Sequence, residues 1–179
     1  MTDSEREAEG VAVSDRIDFL FKIINRYDTY ITSTNTKASL VIAWNGVVIG
    51  TILLKHQEIL NQLKCENITA LAGILLVICG IASLISIGLV FGVVFPFLRS
   101  NLDGSDSLIF FGSVAKVPPD EYCKTMRTAD DLVLLNDISR QVTVLAVGLT
   151  SKMHYLQNSI NAIYVQLAAL AIIVILLAI

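Results

Sequence analysis

Residues 131–179 read DLVLLNDISRQVTVLAVGLTSKMHYLQNSINAIYVQLAALAIIVILLAI. Apolar side chains recur at Leu132, Leu135, Ile138, Val142, Leu145, Leu149, Met153, Leu156, Ile160, Ile163 and Leu167, at intervals of 3, 3, 4, 3, 4, 4, 3, 4, 3 and 4. This is close to heptad spacing, with a local irregularity around Leu149, and it places one stripe on one face of a helix. Thr128 and Asp131 stand three residues apart and resemble a capping box with Asp in place of the usual Glu, so a single helix is predicted from about residue 129 to 179. Its first half carries Asp, Arg and Lys, whereas residues 155–179 carry no charge. One helix therefore leaves a polar region and enters an apolar one without a hinge, as a signal-transmitting element requires.

Two other charge-free runs, 38–54 and 68–98, are 17 and 31 residues long, against 25 for 155–179. A ~30 Å hydrocarbon core takes about 20 helical residues to cross, so all three runs are predicted transmembrane helices. The polar stretch Thr32 to Thr36 lets the short first span begin at the headgroups, and the second, ~46 Å if helical, projects beyond the bilayer on the cytoplasmic side. The composition agrees, with 54% hydrophobic and 16% charged residues and a mean hydropathy of +0.68. The predicted fold class is an all-α membrane protein with three transmembrane helices and a helical cytoplasmic stalk or domain. A net charge of −3 argues against a polyanion-binding surface, so nucleic acid is not an expected partner.

Lys and Arg set the orientation. Five precede the first span (Arg6, Arg16, Lys22, Arg26, Lys37), two follow it (Lys55, Lys64), and six lie between the second and third. The positive-inside rule puts the N-terminus in the cytoplasm. The expected organisation is an acidic flexible N-terminus over 1–12, a cytoplasmic helix over 13–37, the first span over 38–54, an external loop over 55–67, the second span over 68–98, a cytoplasmic helical region over 99–154 and the third span over 155–179. Val13, Ile17, Leu20, Ile24, Tyr27 and Ile31 form a second 4,3-spaced stripe leading into the first span. Pro118-Pro119 followed by Asp120 and Glu121 predicts a short helix from about 119 to 127, while Leu108–Val117 reads equally as loop, short helix or strand. Asn101–Ser107 is a turn-rich exit from the second span.

No catalytic constellation, metal cluster or cofactor motif is present: His56 and His154 read as interfacial residues, and Asp130-Asp131 and Asp120-Glu121 as helix-start acids. Cys65, Cys79 and Cys123 fall in three different compartments and predict no intramolecular disulfide. Gly46/Gly50 and Gly88/Gly92 make GxxxG pairs suited to close helix packing, within one chain or in a homo-oligomer. Asn45, Thr51, Ser83, Ser86, Asn161 and Gln166 are the polar groups expected in or near the spans, with no intramembrane carboxylate, Lys or Arg for proton or ion coupling.

Ser33 to Gly46 reads Ser-Thr-Asn-Thr-Lys-Ala-Ser-Leu-Val-Ile-Ala-Trp-Asn-Gly, and its Asn35-Thr36-Lys37-Ala38-Ser39 core is similar to the Asp-x-Lys-Ala motif opening the first span of the Pycsar transmembrane effectors, bacterial antiphage proteins. Phe110-Phe111-Gly112-Ser113-Val114-Ala115 with Pro119-Asp120-Glu121-Tyr122 resembles that family's aromatic-Gly segment and the helix after it, and Asp131 through Lys152 resembles its last cytoplasmic helix. Asn35 stands where the family usually has Asp. The resemblance implies a multi-pass protein of the bacterial inner membrane that senses cyclic CMP or cyclic UMP from a partner pyrimidine cyclase and then compromises the lipid bilayer, arresting or killing the infected cell.

A cyclic nucleotide needs a cation or backbone amides for its phosphate and hydrogen-bonding or aromatic groups for its base. The candidate ligand-binding residues are Arg26, Lys37, Arg140 and Lys152 for the phosphate and Asn35 and Tyr122 for the base. A different class remains open: a non-catalytic anchoring or assembly subunit whose stalk docks a cytoplasmic partner and whose spans are passive. A constitutive holin-like pore would leave the large cytoplasmic half without a use.

Overall fold

The computed structural model describes residues 3–63, 65–95 and 106–178, with side chains from Val13 onward. The side chains of residues 1–12, on which the expected acidic flexible terminus falls, lie outside the described residues. So does 96–105, which holds the end of the expected second span and most of the turn-rich exit. The described residues form helices and no strand: α1 (Asp3–Asn61), α2 (Glu66–Val94), α3 (Phe111–Val114), α4 (Pro119–Thr128) and α5 (Asp131–Ala178).

In α1 the stripe that begins Val13, Ile17, Leu20, Ile24, Tyr27, Ile31 is the face turned inward, and it continues through Thr34, Ala38, Val41, Asn45, Val48 and Ile52 at the same 4,3 alternation. Each of these positions is buried or half-buried. An unbroken 3.5-residue repeat keeps one seam facing its neighbours along the whole helix. The helix also continues past the first span to Asn61, so most of the segment expected as an external loop is helical, and α2 begins at Glu66.

Against the sequence reading, α5 is corrected in register. Its inward positions are Ile138, Val142, Leu145, Leu149, Lys152, Leu156, Ser159, Ile163, Gln166, Leu170 and Ile173, a 4,3 alternation without the irregularity. Beyond Leu149 the apolar-only stripe steps onto Met153, Ile160 and Leu167, each one residue past a buried polar one. Met153 and Leu167 are exposed, at 47% and 43%. The repeat was there, with Lys, Ser and Gln on it.

The start of α5 also differs. Thr128 ends α4, its hydroxyl donating back to the carbonyls of Lys124 (3.1 Å) and Thr125 (3.3 Å), so it is not the cap of α5. The first turn of α5 is closed by the amides of Val133 and Leu134 on the Asp130 carbonyl, with Asp131 placed favourably against the helix dipole. For α4 the sequence signals act as read: Pro119 opens the helix, Asp120 and Glu121 occupy its first turn and Arg127 its last. The undecided segment 108–117 contains the single turn α3. There the Phe110 ring lies against Gly112, where an added Cβ would come within 2.5 Å of it, and is tilted 44° to Phe111 at 4.7 Å between ring centres.

The chain divides into two compact units, one of residues 1–31 and 96–150 and the other of 32–95 and 151–179, and the division falls inside α1 and α5. In the second unit α1 and α5 run parallel with α2 antiparallel to both. Ala38 and Val41 pack with Val90, Val93 and Leu156 at one end, and Ile52, Ile59 and Leu60 pack with Leu75, Leu76, Ala169 and Ile173 at the other. Large apolar side chains face outward, among them Leu54 at 83% and Leu53 at 69% exposure, while Asn45, Ser83, Ser86, Ser159 and Gln166 are fully buried. Water would impose the reverse arrangement, and hydrocarbon imposes this one. Among the described residues three helices are long and apolar enough to cross a membrane, contained in Val13–Asn61, Glu66–Val94 and Asp131–Ala178.

The GxxxG glycines are not equivalent. A Cβ at Gly46, Gly50 or Gly88 would meet nothing within 4 Å, whereas at Gly92 it would meet the Tyr155 ring at 3.1 Å. Gly92→Val is therefore expected to lower unfolding stability in detergent by ~1–3 kcal/mol through overpacking. Gly88→Val, which adds the same branched side chain without a neighbour, is expected to lower it far less. Equal losses in thermal melts followed by circular dichroism would refute the contact.

Candidate functional site

Halfway along the three apolar helices the seam changes from hydrocarbon to polar side chains. Asn45 Nδ2 donates to the Val41 carbonyl (2.8 Å) and to Ser86 Oγ (3.0 Å), and Asn45 Oδ1 accepts from Gln166 Nε2 (2.8 Å). Gln166 Oε1 in turn accepts from the Trp44 indole N–H (3.0 Å). Ser86 and Ser159 sit 2.7 Å apart, oxygen to oxygen; Ser86 Oγ is also 3.2 Å from the Ser159 carbonyl, and Ser159 Oγ is 3.0 Å from that of Ser86. All three helices thus meet in one network. Ser83 Oγ, one turn before Ser86 on the same helix, is buried without a partner.

One heptad before Ser159 the same seam holds Lys152, which is 8% exposed and is the one buried charged residue among the described residues. Its ammonium donates to the carbonyl of Val93 and, at 3.4 Å, to that of Phe95. The last carbonyls of α2 have no partner within their own helix, and a cation there satisfies them and complements the helix dipole.

In the first unit a second polar cluster fixes the segment before α3. Asp137 Oδ2 accepts from Ser107 Oγ and from the Leu108 amide, both at 2.9 Å, and Ser107 Oγ accepts from the amides of Ile109 (3.2 Å) and Phe110 (3.1 Å). The Tyr122 hydroxyl donates to the Leu108 carbonyl at 2.9 Å, tying α4 to the same segment.

The six residues singled out for ligand binding divide between the units. Arg26, Tyr122 and Arg140 belong to the first, and Asn35, Lys37 and Lys152 to the second. Arg26 is exposed and lies along its own helix, with Nε donating to the Tyr30 hydroxyl (2.8 Å) and its guanidinium 5.5 Å from that ring's centre. Arg140, Asn35 and Lys37 are exposed, the last two flanking a seam occupied by Thr34 and Ala38. Of the polar groups expected in the spans, Asn45, Ser86 and Gln166 join the network, whereas Thr51 and Asn161 face outward. Ser159, Ser107 and Asp137 were missed. A seven-residue step from Lys152 to Ser159 to Gln166 would have revealed the first, but Ser107 and Asp137 are 30 residues apart and no local pattern links them.

The outward apolar surface, inward polar seam and three spanning-length helices define the class: a helical multi-pass membrane protein. The family model of the Pycsar effector protein domain matches residues 19–179, and the chain belongs to that family. Membership supports a role as an antiphage effector and implies cyclic-nucleotide signalling from a cyclase. No curated protein and no solved structure matches the chain significantly.

The Asp137 cluster is directly testable. Asp137→Ala leaves the Leu108 amide and the Ser107 hydroxyl without their acceptor and is expected to cost ~1–3 kcal/mol. Hydrogen exchange at Leu108 should accelerate at least tenfold, and an unchanged rate would show that Asp137 does not hold the segment.

Proposed function

We propose that the chain senses cyclic CMP or cyclic UMP on the cytoplasmic side of the bacterial inner membrane and, once bound, breaks the membrane's integrity to arrest or kill the infected cell. Family membership supports the cyclic-nucleotide input. The observation that carries the mechanism is that α1 and α5 each contribute to both units, so one pair of helices serves the region rich in cations and the region rich in hydrocarbon. Arg26 and Arg140 are the proposed phosphate ligands and Tyr122 the base-side partner, all in the unit that contains the Asp137-anchored segment. Asn35 and Lys37 are candidates further along α1. The Lys-rich and Arg-rich flanks support a cytoplasmic N-terminus.

A single ligand must prefer the active state by ~5.5 kcal/mol to carry a closed-to-open ratio from 1:99 to 99:1. One or two charge-assisted hydrogen bonds fall short of that unless the pocket is largely dismantled in the resting state. Several copies acting together share the requirement, which favours a homo-oligomer, and the unoccupied faces at Gly46, Gly50 and Gly88 are the proposed surfaces between copies.

The test uses full-length protein. Titration calorimetry in detergent, with cyclic AMP and linear CMP as controls, is paired with dye release from proteoliposomes. Selective binding of a cyclic pyrimidine nucleotide with nucleotide-dependent release is expected, and Arg26→Ala or Arg140→Ala should weaken binding about tenfold or more, the loss of one charged hydrogen bond. Binding and release that are both absent in a folded sample would overturn the proposal in favour of a passive anchoring subunit.

A further inference from the structure

Resting on the membrane-breaking role proposed above, we infer that the buried polar seam of the second unit becomes the water-facing surface of a permeation path, in which Lys152 favours anions over cations. The seam comprises Lys152, Ser159 and Gln166 on α5, Asn45 on α1 and Ser83 and Ser86 on α2, and on α5 it extends over ~21 Å of helix. Five of these residues are fully buried and Lys152 is 8% exposed, while the outward faces of the same helices carry Leu53, Leu54, Leu84 and Val174. Apart from Ser83, the seam is satisfied only while the three helices keep their present contacts. Asn45 depends on Gln166 and Ser86, Ser86 on Ser159, and Lys152 on carbonyls of α2.

Lipid supplies no hydrogen bonds, so a rearranged state that turned these groups outward would leave their interhelical bonds unreplaced and is strongly disfavoured. Any state in which the helices part must present them to water or to the same seam of another copy. Ser83 Oγ, buried without a partner, already has unused capacity for such a contact. The outer faces are poorly suited to this role, being predominantly apolar: of the polar groups expected in the spans only Thr51 and Asn161 face outward. Neither partner of Lys152 is charged, so when the helices separate its ammonium contributes an uncompensated positive charge at one end of the path. A charged side chain at a constriction sets the sign of the ion that passes.

The experiment is the reversal potential across planar bilayers of phosphatidylcholine and phosphatidylglycerol holding the full-length protein, in a KCl gradient, with cyclic CMP or cyclic UMP as the activating probe. Chloride should be preferred over potassium more than about tenfold, since one unit charge a few ångströms away in water enriches the anion about fivefold and depletes the cation by about the same factor. Lys152→Gln should abolish the preference and Lys152→Glu invert it, the neutral variant carrying the test if the acidic one does not fold. Cys79 Sγ lies 3.7 Å from the Gln166 carbonyl and shares the seam, so the thiol test uses a Cys79→Ser background, in which Ser159→Cys should make the current sensitive to an anionic water-soluble thiol reagent that leaves the Cys79→Ser parent unaffected. A nucleotide-evoked current with the same selectivity in wild type and Lys152→Gln overturns this inference and leaves the proposed function standing. No nucleotide-evoked current in folded wild type overturns both.

Discussion

Within a bilayer every buried polar group must find its partner inside the protein, and the Asn45–Gln166 pair is where this chain meets that requirement. Two amides, each able to donate and accept, close a bridge from α1 to α5, and the second donor of Asn45 carries the bridge to α2 through Ser86. Dispersion alone distinguishes poorly between registers of apolar helices, because lipid tails are as apolar as Leu. Polar pairs at fixed heights do distinguish them. A slip of one heptad in α5 would bring Ser159 or Ile173 to the height of Asn45 and leave its amide partly unsatisfied. The pairs Ala38/Val93 and Leu75/Ile173 at the two ends then follow from the register that the middle sets.

The same logic explains why Lys152 occupies a seam position. A buried ammonium is costly unless its donors are met, and the end of α2 offers carbonyls that no helical amide can reach. The lysine and the helix terminus answer each other's deficit. This fixes where α2 ends against α5, as Asn45 and Gln166 fix the middle. A polar residue at one seam position of a heptad, specifying register, is a recognised use of such groups.

What was legible in the sequence was whatever depended on apolar spacing and on charge-free length. The α1 stripe from Val13 to Ile31, the three spans, the Pro-led start of α4 and the break between α4 and α5 were all readable, because in each the signal is local and made of the residue types the rule concerns. The α5 seam was misread beyond Leu149 because Lys152, Ser159 and Gln166 are polar residues on a core face, and a rule that counts only apolar side chains steps one residue past each. That step was visible as an irregularity. A strict seven-residue spacing from Ile138 through Leu145 to Ile173 would have removed it. The Asp137 cluster lay out of reach for a different reason: its partners come together only through the fold.

The claim on which the rest depends is that the Asn45–Gln166 pair holds α1 and α5 in register, and a double-mutant cycle measures it most directly. Unfolding free energies of wild type, Asn45→Ala, Gln166→Ala and the double variant, taken in bicelles, should give a coupling energy of ~1 kcal/mol, within the range of interhelical hydrogen bonds in membranes. Strict additivity of the two substitutions would contradict the account.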